Sequence, residues 1–237
     1  MIDFNKVYNA DCLKILKELP NESIKTTITS PPYNLGGDFH TFVDGKRVTY
    51  GDYQGYKDKI PEDKYQEWQR DILYEIHRVT KENGWCFYNH KNRIVNGSII
   101  SPLEWISKTN WNLCQVVVID FRATPNVDKR RFFPVHELLY VLSKNNKQKL
   151  NNFECFTDVW QIKRASRKQT GHPATFDIEL PLRCIKASSE EGDVVADWFC
   201  GVGTTLKASK MLNRKFIGTE ISPEYYEKSL INVSNVN

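Results

Sequence analysis

Short apolar segments typical of buried strands alternate along this chain with segments whose apolar residues recur at helical spacing. The predicted strands cover residues 24–29, 85–88, 113–121, 137–142, 194–197 and 216–220, and the predicted helices cover 11–19, 61–80, 101–108, 177–187, 204–212 and 223–230. Such alternation is typical of an α/β sheet covered by helices on both faces. Residues 34–60 are rich in Gly, Asp and Tyr and predict a long loop.

The length of 237 residues fits one α/β domain, residues 1–237, with a modest insertion. The six cysteines are scattered and no His/Cys group has metal-ligand spacing, so we expect reduced thiols, no bound metal and a cytoplasmic location. The sequence shows neither an apolar signal core near Met1 nor an apolar run of membrane length, which predicts no membrane association.

Basic residues are concentrated in the middle of the chain, although the formal net charge is only +4. Residues 122–170 contain eleven Lys or Arg and four Asp or Glu, which is a local excess of seven (11 − 4). This segment suggests a polyanionic partner, and a solvated lysine-rich loop is the alternative interpretation.

A glycine turn follows the predicted strand 194–197 and opens a predicted helix. The turn lies in the run Asp197-Trp198-Phe199-Cys200-Gly201-Val202-Gly203-Thr204-Thr205. Its glycines would let the backbone approach a ligand, and the helix amides would face a carboxylate or another polar group. The next strand ends in Glu220, where a carboxylate is suited to binding ribose hydroxyls. A tight turn without a ligand is the alternative, because the run lacks the third glycine of dinucleotide-binding proteins.

A rigid corner follows the predicted strand 24–29. In Ser30-Pro31-Pro32-Tyr33 the prolines force an extended backbone and remove two N–H donors, while their carbonyls and the Ser30 hydroxyl remain. The exocyclic amine of cytosine or adenine is a weak nucleophile, because its lone pair is delocalised into the ring. Ser30 and the Pro31 carbonyl would accept its two N–H bonds and turn the lone pair towards an electrophilic methyl group.

In the same interpretation, Tyr33 stacks on a base that has been rotated out of the duplex. The alternative is that the two prolines only end a strand and that Tyr33 packs in the core.

Five ordered motifs together resemble those of the DNA amino-methyltransferases, which methylate N4 of cytosine or N6 of adenine. They are Asn9-Ala10-Asp11-Cys12, Thr29-Ser30-Pro31-Pro32-Tyr33, His172-Pro173-Ala174-Thr175-Phe176, the glycine-turn run 197–205, and Phe216-Ile217-Gly218-Thr219-Glu220-Ile221. The catalytic motif precedes the cofactor motif, as in the circularly permuted β group of this family. The resemblance implies a Rossmann-like fold with a seven-stranded mixed sheet, helices on both faces and an antiparallel last strand.

The resemblance also implies S-adenosyl-L-methionine as the methyl donor, and Ser30, Pro31, Pro32 and Tyr33 as the catalytic residues. Glu220 is expected to bind the ribose hydroxyls, and Asp11 to lie near the adenine amine of the cofactor. The turn 199–205 is expected to hold the methionine part, with help from the motif that precedes it. The complete set of expected cofactor-binding residues is Asp11, His172, Thr175, Asp197, Phe199, Gly201, Gly203, Thr204, Thr205, Glu220 and Ile221.

Two positions depart from the usual motifs. Trp198 stands where the family usually has proline, which is expected to alter the rigidity of the turn without abolishing the site. Ser30 stands where adenine-specific members commonly carry Asp or Asn, and the serine form of the motif goes mainly with N4-cytosine methylation. N4 of cytosine is therefore favoured, with N6 of adenine as the rival, since a hydroxyl and a carboxylate can each accept an N–H bond.

The β group places its variable target-recognition region in the segment that corresponds to about 122–170, and the partner it implies is double-stranded DNA. The candidate DNA-binding residues are Arg130, Arg131, Lys163, Arg164, Arg167 and Lys168. The aromatic residues of 36–59 are candidates for closing over the flipped base, with a mobile loop as the alternative. A homodimer and a cognate restriction endonuclease are further partners that the resemblance suggests without fixing either.

Two other functions stay open. One is the same chemistry on RNA or on a protein amide, and the other is a nucleic-acid-binding module that has lost catalysis. The basic segment and Ser30 favour DNA, and the intact Ser30-Pro31-Pro32-Tyr33 argues against a loss of catalysis.

Overall fold

The computed structural model describes residues 2–35, 59–122, 131–151, 157–163 and 177–236, together with the backbone of short strands within 39–57. Among the helices in this part of the chain, none combines the length and the apolar character that are needed to cross a membrane.

One large sheet forms the centre of the molecule. The strands are β1 (Lys6–Tyr8), β2 (Ile24–Thr29), β3 (Phe39–Val43), β4 (Lys46–Tyr50), β5 (Asp52–Tyr53), β6 (Tyr56–Lys57), β7 (Thr80–His90), β8 (Arg93–Val95), β9 (Ser98–Ile100), β10 (Asn112–Asp120), β11 (His136–Ser143), β12 (Val159–Gln161), β13 (Val194–Asp197) and β14 (Lys215–Thr219). Within the described residues, eight of them form one sheet in the order β1-β14-β13-β2-β7-β11-β10-β12. Neighbours are parallel from β1 to β7, whereas β11 is antiparallel to both β7 and β10.

Helices cover both faces of this sheet. The described helices are α1 (Cys12–Glu18), α2 (Glu62–Val79), α3 (Leu103–Ile106), α4 (Glu179–Ser188), α5 (Thr204–Met211) and α6 (Pro223–Ser234). Successive strand residues point to opposite faces, so Cys86 and Tyr88 of β7 join a core with α1, α2 and α3. Trp85 and Phe87 join a second core that includes α4 and Ala208 of α5.

Residues at the helix ends explain why two helices near the sheet edge begin where they do. The Asp11 carboxylate accepts a hydrogen bond from the Leu13 amide and caps α1. The Ser222 hydroxyl caps α6 in the same way, and Pro223 occupies the first helical position, where its missing N–H costs nothing. Each cap lies three residues after a strand, Asp11 after β1 and Ser222 after β14.

All six predicted strands and all six predicted helices are present, with ends that differ by a few residues. The largest differences are the early start of β7 at Thr80 and the shortness of α3, which covers only Leu103–Ile106. The sequence does not predict β1 or β12, because three residues are too few to show a strand period. The edge strand β12 takes the sheet to eight strands, one more than the resemblance implies.

The prediction of a long loop over 34–60 is wrong for much of that range. The backbone forms two short antiparallel hairpins, β3–β4 and β5–β6. The strand Lys46–Tyr50 is rich in residues that favour strands, and Asp44-Gly45 between β3 and β4 is a strong hairpin signal in sequence. The range 122–170 also contributes β11 and β12 to the central sheet, so it is not wholly an insertion.

Candidate functional site

The two motifs singled out in the sequence meet at one edge of the sheet. β2 and β13 are parallel neighbours, so Ser30 and the glycine turn leave adjacent strands at the same end. The Thr29 hydroxyl donates to Asp197 Oδ1 at 3.0 Å, and this buried bond joins the last residues of the two strands. A hydrogen bond to a carboxylate stabilises a fold by about 1.5–3 kcal/mol. The site is therefore fixed where ligands of open α/β sheets bind.

Trp198, which replaces the usual proline, strengthens this junction. Its amide donates to the Thr29 hydroxyl at 3.2 Å, and its indole is buried at 1% exposure among core side chains. The Thr219 hydroxyl donates to the Trp198 carbonyl at 2.6 Å from the next strand. The turn is thus held through a backbone donor that proline does not have.

Side-chain hydrogen bonds hold the double-proline corner from below. The Tyr65 hydroxyl on α2 donates to the Pro32 carbonyl at 2.8 Å and bonds to His90 Nε2 at 2.8 Å. His90 Nδ1 lies 2.9 Å from the Lys91 amide nitrogen and 2.8 Å from the Lys91 carbonyl oxygen, so both ring nitrogens have hydrogen-bond partners. Burial lowers the pKa of His90 to about 3, which keeps the imidazole neutral near pH 7.

Replacing Tyr65 by phenylalanine is expected to lower kcat about tenfold, because the Pro32 carbonyl and His90 both lose their partner. The loss of a buried hydrogen bond should also lower the free energy of unfolding by about 1–3 kcal/mol. Steady-state kinetics and thermal unfolding measure the two effects. Tyr74→Phe is the matched control on the same helix, since Tyr74 is 40% exposed and donates to the Lys108 carbonyl on the surface. Equal kcat values for the two variants would contradict a supporting role for Tyr65.

Ser30 and Tyr33 lie in a compact hydrogen-bonded cluster with two residues that the sequence does not single out. The hydroxyl oxygens of Ser30 and Tyr33 are 2.9 Å apart, and Tyr33 donates to Glu137 Oε2 at 3.3 Å. Asn89 Nδ2 donates to Glu137 Oε2 at 3.1 Å and to the Tyr33 hydroxyl at 3.2 Å. Burial and the Glu137 charge raise the pKa of Tyr33 well above its ordinary value, so the phenol keeps its proton.

One face of the Tyr33 ring lies near His90, with ring centroids 4.4 Å apart and planes inclined by 36°. The Tyr33 side chain is only half-buried. Stacking of this ring on a flipped base therefore stays a prediction, and the structure adds a hydrogen-bonding role for the hydroxyl.

The glycine turn and Glu220 form the second half of the site. Gly201 has φ +52° and Gly203 has φ +80°, which is left-handed backbone that L side chains rarely adopt. The Glu220 carboxylate accepts from the Gly201 amide at 2.9 Å and from the Ser222 amide at 2.8 Å. Burial raises the pKa of Glu220 above its ordinary value. These two bonds hold the Glu220 carboxylate beside the glycine turn.

The remaining predicted cofactor residues that the structure describes surround this turn. Asp197 is buried beneath it, where it accepts from the Phe199 amide at 3.2 Å, and burial raises its pKa to about 6. Thr204 and Thr205 begin α5, and Phe199 packs edge-to-face on Trp68 of α2 with centroids 5.7 Å apart. Trp68 is a site residue that the sequence does not indicate, because α2 is remote from the turn along the chain.

Asp11 and Ile221 lie at the ends of the neighbouring strands. The Asn9 side-chain amide donates to the backbone carbonyls of Glu220 and Ile221, at 2.9 and 3.2 Å, and so joins the first motif to the fifth. Asp11 is exposed two residues beyond Asn9, and Ile221 is 43% exposed. Asn9 belongs to a motif quoted from the sequence, but its cross-linking role depends on the pairing of β1 with β14.

Six of the predicted site residues lie outside the residues that the structure describes. They are the cofactor candidates His172 and Thr175 and the DNA-binding candidates Arg130, Arg164, Arg167 and Lys168. Arg131 and Lys163 are described and exposed, before β11 and just after β12. In the part of the chain with described side chains, no three His, Cys, Asp or Glu residues are grouped as a metal site requires.

Comparison with known proteins places this geometry in a family. The sequence model of the N6/N4 DNA methylase family matches residues 24–232. The chain belongs to this family. Among sequence relatives, type II methyltransferase M.BglII of Bacillus subtilis is 24% identical over 94% of this chain and 67% of its own length. Type II methyltransferase M.ScaI of Streptomyces caespitosus is 26% identical over 93% of this chain and 78% of its own length.

Solved structures of DNA methyltransferases share the fold of this family member. The cytosine-N4-specific PvuII DNA methyltransferase superposes with a TM-score of 0.79 at 21% identity, covering 100% of this chain and 89% of that one. M1.HpyAVI, solved in complex with S-adenosylmethionine, gives a TM-score of 0.66 at 20% identity, covering 96% and 98%. The Rossmann-like methyltransferase fold expected from the sequence is confirmed.

As a DNA methylase, the protein uses S-adenosyl-L-methionine as its methyl donor. The residues at the glycine turn fit this molecule. The Glu220 carboxylate would accept hydrogen bonds from ribose hydroxyls, and Gly201 and Gly203, in left-handed backbone, bring no side chain into the turn. Trp68 and Phe199 provide aromatic surface beside the turn.

Proposed function

We propose that this DNA methylase transfers a methyl group to the exocyclic N4 amine of a cytosine in double-stranded DNA. The observation that carries the proposal is the position of the Ser30 hydroxyl, one strand away from the glycine turn and Glu220. A buried bond between Thr29 and Asp197 fixes that separation. A target amine at the proline corner and a methyl donor at the turn are therefore neighbours.

The chain's own residues supply positioning and electrostatic preorganisation. When bound, S-adenosyl-L-methionine supplies an electrophilic methyl group. Ser30 Oγ and the Pro31 carbonyl accept the two N–H bonds of the target amine, which gives the nitrogen a directed lone pair. The Pro32 carbonyl is already engaged by Tyr65 at 2.8 Å, which leaves the first proline for this task. The target base reaches the corner by leaving the duplex stack.

The choice of cytosine rests on Ser30 and on one structural relative. The serine form of the motif resembles that of N4-cytosine enzymes, and the PvuII enzyme that shares the fold is named as cytosine-N4-specific. Methylation of adenine N6 is the rival, because both amines present two N–H donors to the same acceptors.

DNA contact is proposed for the exposed basic side chains near the active-site edge. Arg131 and Lys163 are exposed on the segments beside β11 and β12, in the basic range 122–170. Phe132 is 99% exposed and Phe133 is 51% exposed beside Arg131, which is typical of an interaction surface rather than of a core. Because the sequence relatives are named type II methyltransferases, we propose a specific DNA site and a restriction–modification setting. The target-recognition role of 122–170 and a homodimer also remain proposals.

Incubation of the protein with labelled S-adenosyl-L-methionine and DNA, followed by mass spectrometry of nucleosides, tests the function. We expect 4-methylcytosine in the DNA and no label on RNA or on protein in parallel reactions. Detection of 6-methyladenine instead would overturn the choice of base. Label on RNA or protein alone, or DNA binding without any transfer, would overturn the proposed substrate or activity.

A further inference from the structure

Four polar side chains converge at the catalytic corner from three neighbouring strands. Ser30 and Tyr33 follow β2, Asn89 is near the end of β7, and Glu137 is at the start of the antiparallel strand β11. The pairing of Leu139 with Asn89 brings Glu137 to the edge where β2 and β7 end. The sequence places Asn89 and Glu137 48 residues apart, and a 3.1 Å hydrogen bond joins them.

The available donors and acceptors fix the direction of the hydrogen bonds in this cluster. An ionised carboxylate only accepts, so the single proton of the Tyr33 phenol is donated to Glu137. The Tyr33 oxygen must then act as acceptor towards Ser30, whose hydroxyl oxygen is 2.9 Å away. With its proton committed to Tyr33, Ser30 Oγ presents its lone pairs to a substrate donor. Asn89 cannot reverse this order, because its Nδ2 group donates to the same oxygens.

We propose that Glu137 is the terminal proton acceptor of methyl transfer, reached from the target amine through the hydroxyls of Ser30 and Tyr33. This inference rests on the proposed function and deepens it, because it states where the proton of the amine goes. Glu137 touches neither substrate nor cofactor in this scheme. It acts through Tyr33 and is a positioning residue that sets the direction of the relay.

The target amine, the methyl donor and the three side chains account for every bond and proton in this step. The bond between the amine nitrogen and the methyl carbon forms as the sulfonium sulfur–carbon bond breaks, and the sulfur keeps the electron pair. The nitrogen then carries one proton too many. That proton passes to Ser30 Oγ while Ser30 gives its own to Tyr33 and Tyr33 gives its own to Glu137. Glu137 ends the step as a neutral carboxylic acid and returns the proton to water after product release.

Other titratable groups near the corner are committed elsewhere. Tyr33 contacts Glu137, and His90, Lys91 and Tyr65 lie near the Tyr33 side chain, whereas Asp120 and His136 occupy the adjacent positions of β10 and β11. Both nitrogens of His90 are occupied, and burial lowers its pKa to about 3, so it stays neutral. Asp120, the last residue of β10, lies opposite His136, the first residue of β11. Its carboxylate accepts from the Arg122 amide at 2.8 Å.

The carboxylates of neighbouring elements are engaged in the same way. Glu62 forms an ion pair with the buried Arg93 at 2.7 Å, and Asp197 lies beneath the corner with Thr29 as its donor. Within the described residues, Glu137 is the carboxylate that accepts from the Tyr33 hydroxyl and from Asn89.

Glu137→Gln is the sharpest test, because glutamine can still accept the Tyr33 hydrogen bond but cannot take up the proton. We expect the single-turnover rate of methyl transfer to DNA to fall about 100-fold, the loss typical of a missing proton acceptor. In the wild type the single-turnover rate should be lower in D2O than in H2O because protons move along the relay, and this solvent isotope effect should be absent in the variant. The dissociation constants of S-adenosyl-L-methionine and of DNA should change less than twofold.

Two companion variants make the result decisive. Tyr33→Phe keeps the ring but interrupts the relay one step earlier, so its solvent isotope effect should be lost like that of Glu137→Gln. Glu18→Gln removes the same charge from the exposed end of α1 and should keep the wild-type rate and solvent isotope effect.

A Glu137→Gln protein that transfers methyl groups at the wild-type rate would overturn the relay, while a methylating wild type keeps the proposed function intact. A slower variant that retains the wild-type solvent isotope effect would also overturn it, since that pattern indicates a structural role only. If the wild type transfers no methyl group to DNA, the proposed function itself fails.

Discussion

Tyr33→Ala is expected to lower kcat for DNA methylation by about 1,000-fold. Truncation removes a stacking surface worth about 1–3 kcal/mol per base, and it also removes the hydroxyl that joins Ser30 to Glu137. The cofactor should bind with unchanged affinity, because the glycine turn and Glu220 belong to other strands. Single-turnover kinetics and calorimetric titration of S-adenosyl-L-methionine measure the two quantities.

Tyr33→Phe separates the two contributions of this side chain. The difference between the phenylalanine and alanine variants reports stacking, and the difference between wild type and phenylalanine reports the hydroxyl. If Tyr33→Ala methylates DNA at the normal rate, both roles are wrong and the ring is only a packing element against His90.

Glu220→Ala is expected to raise the dissociation constant of S-adenosyl-L-methionine by about 10- to 100-fold. This corresponds to the loss of hydrogen bonds from a charged acceptor, each worth about 1.5–3 kcal/mol. The rate at saturating cofactor should change much less, since Glu220 is not part of the proline corner. Isothermal titration calorimetry gives the affinity, and the ratio of KM to kcat effects gives the division between binding and chemistry.

The pH dependence of cofactor binding has a definite sign. Burial raises the pKa of Glu220, so its charge is lost earlier than usual as the pH falls. Wild-type affinity for the cofactor should therefore weaken towards acid pH, and the affinity of Glu220→Ala should not follow it. Glu224→Ala, which changes an exposed acid in the first turn of α6, is the matched control and should bind like the wild type. Wild-type affinity in the Glu220 variant would remove this residue from the cofactor site.

The sequence predicts the elements of this fold well where a strand or helix is long enough to show its period. The strands β2 and β13 are short runs rich in β-branched residues, they are followed closely by Pro31 and Gly201, and their predicted ends agree with the structure. The strands β1 and β12 escape prediction because a three-residue strand carries no detectable alternation. The hairpin β8–β9 is also missed, although Asn96-Gly97 between its strands is a strong hairpin signal. Both turn residues have positive φ in the structure, as that signal implies.

The candidate site is predictable only where its chemistry lies in contiguous motifs. Ser30 and Glu220 stand out because each follows a strand at a position with a known use. Asn89 and Glu137 do not, since neither is part of a motif and only the antiparallel register of β11 on β7 brings them to Ser30. The role of Tyr65 is also not predictable from the sequence, because Tyr65 lies outside the motifs, on the buried face of an amphipathic helix.

Trp198 shows that a residue common in relatives cannot always be introduced into this chain. Its backbone nitrogen ties one strand to another, and its ring fills volume in the interior. Importing the customary proline would delete a donor and leave a hollow of indole size at the same time. Consensus design of a more stable variant should therefore keep Trp198 and not replace it by the proline that is common in relatives.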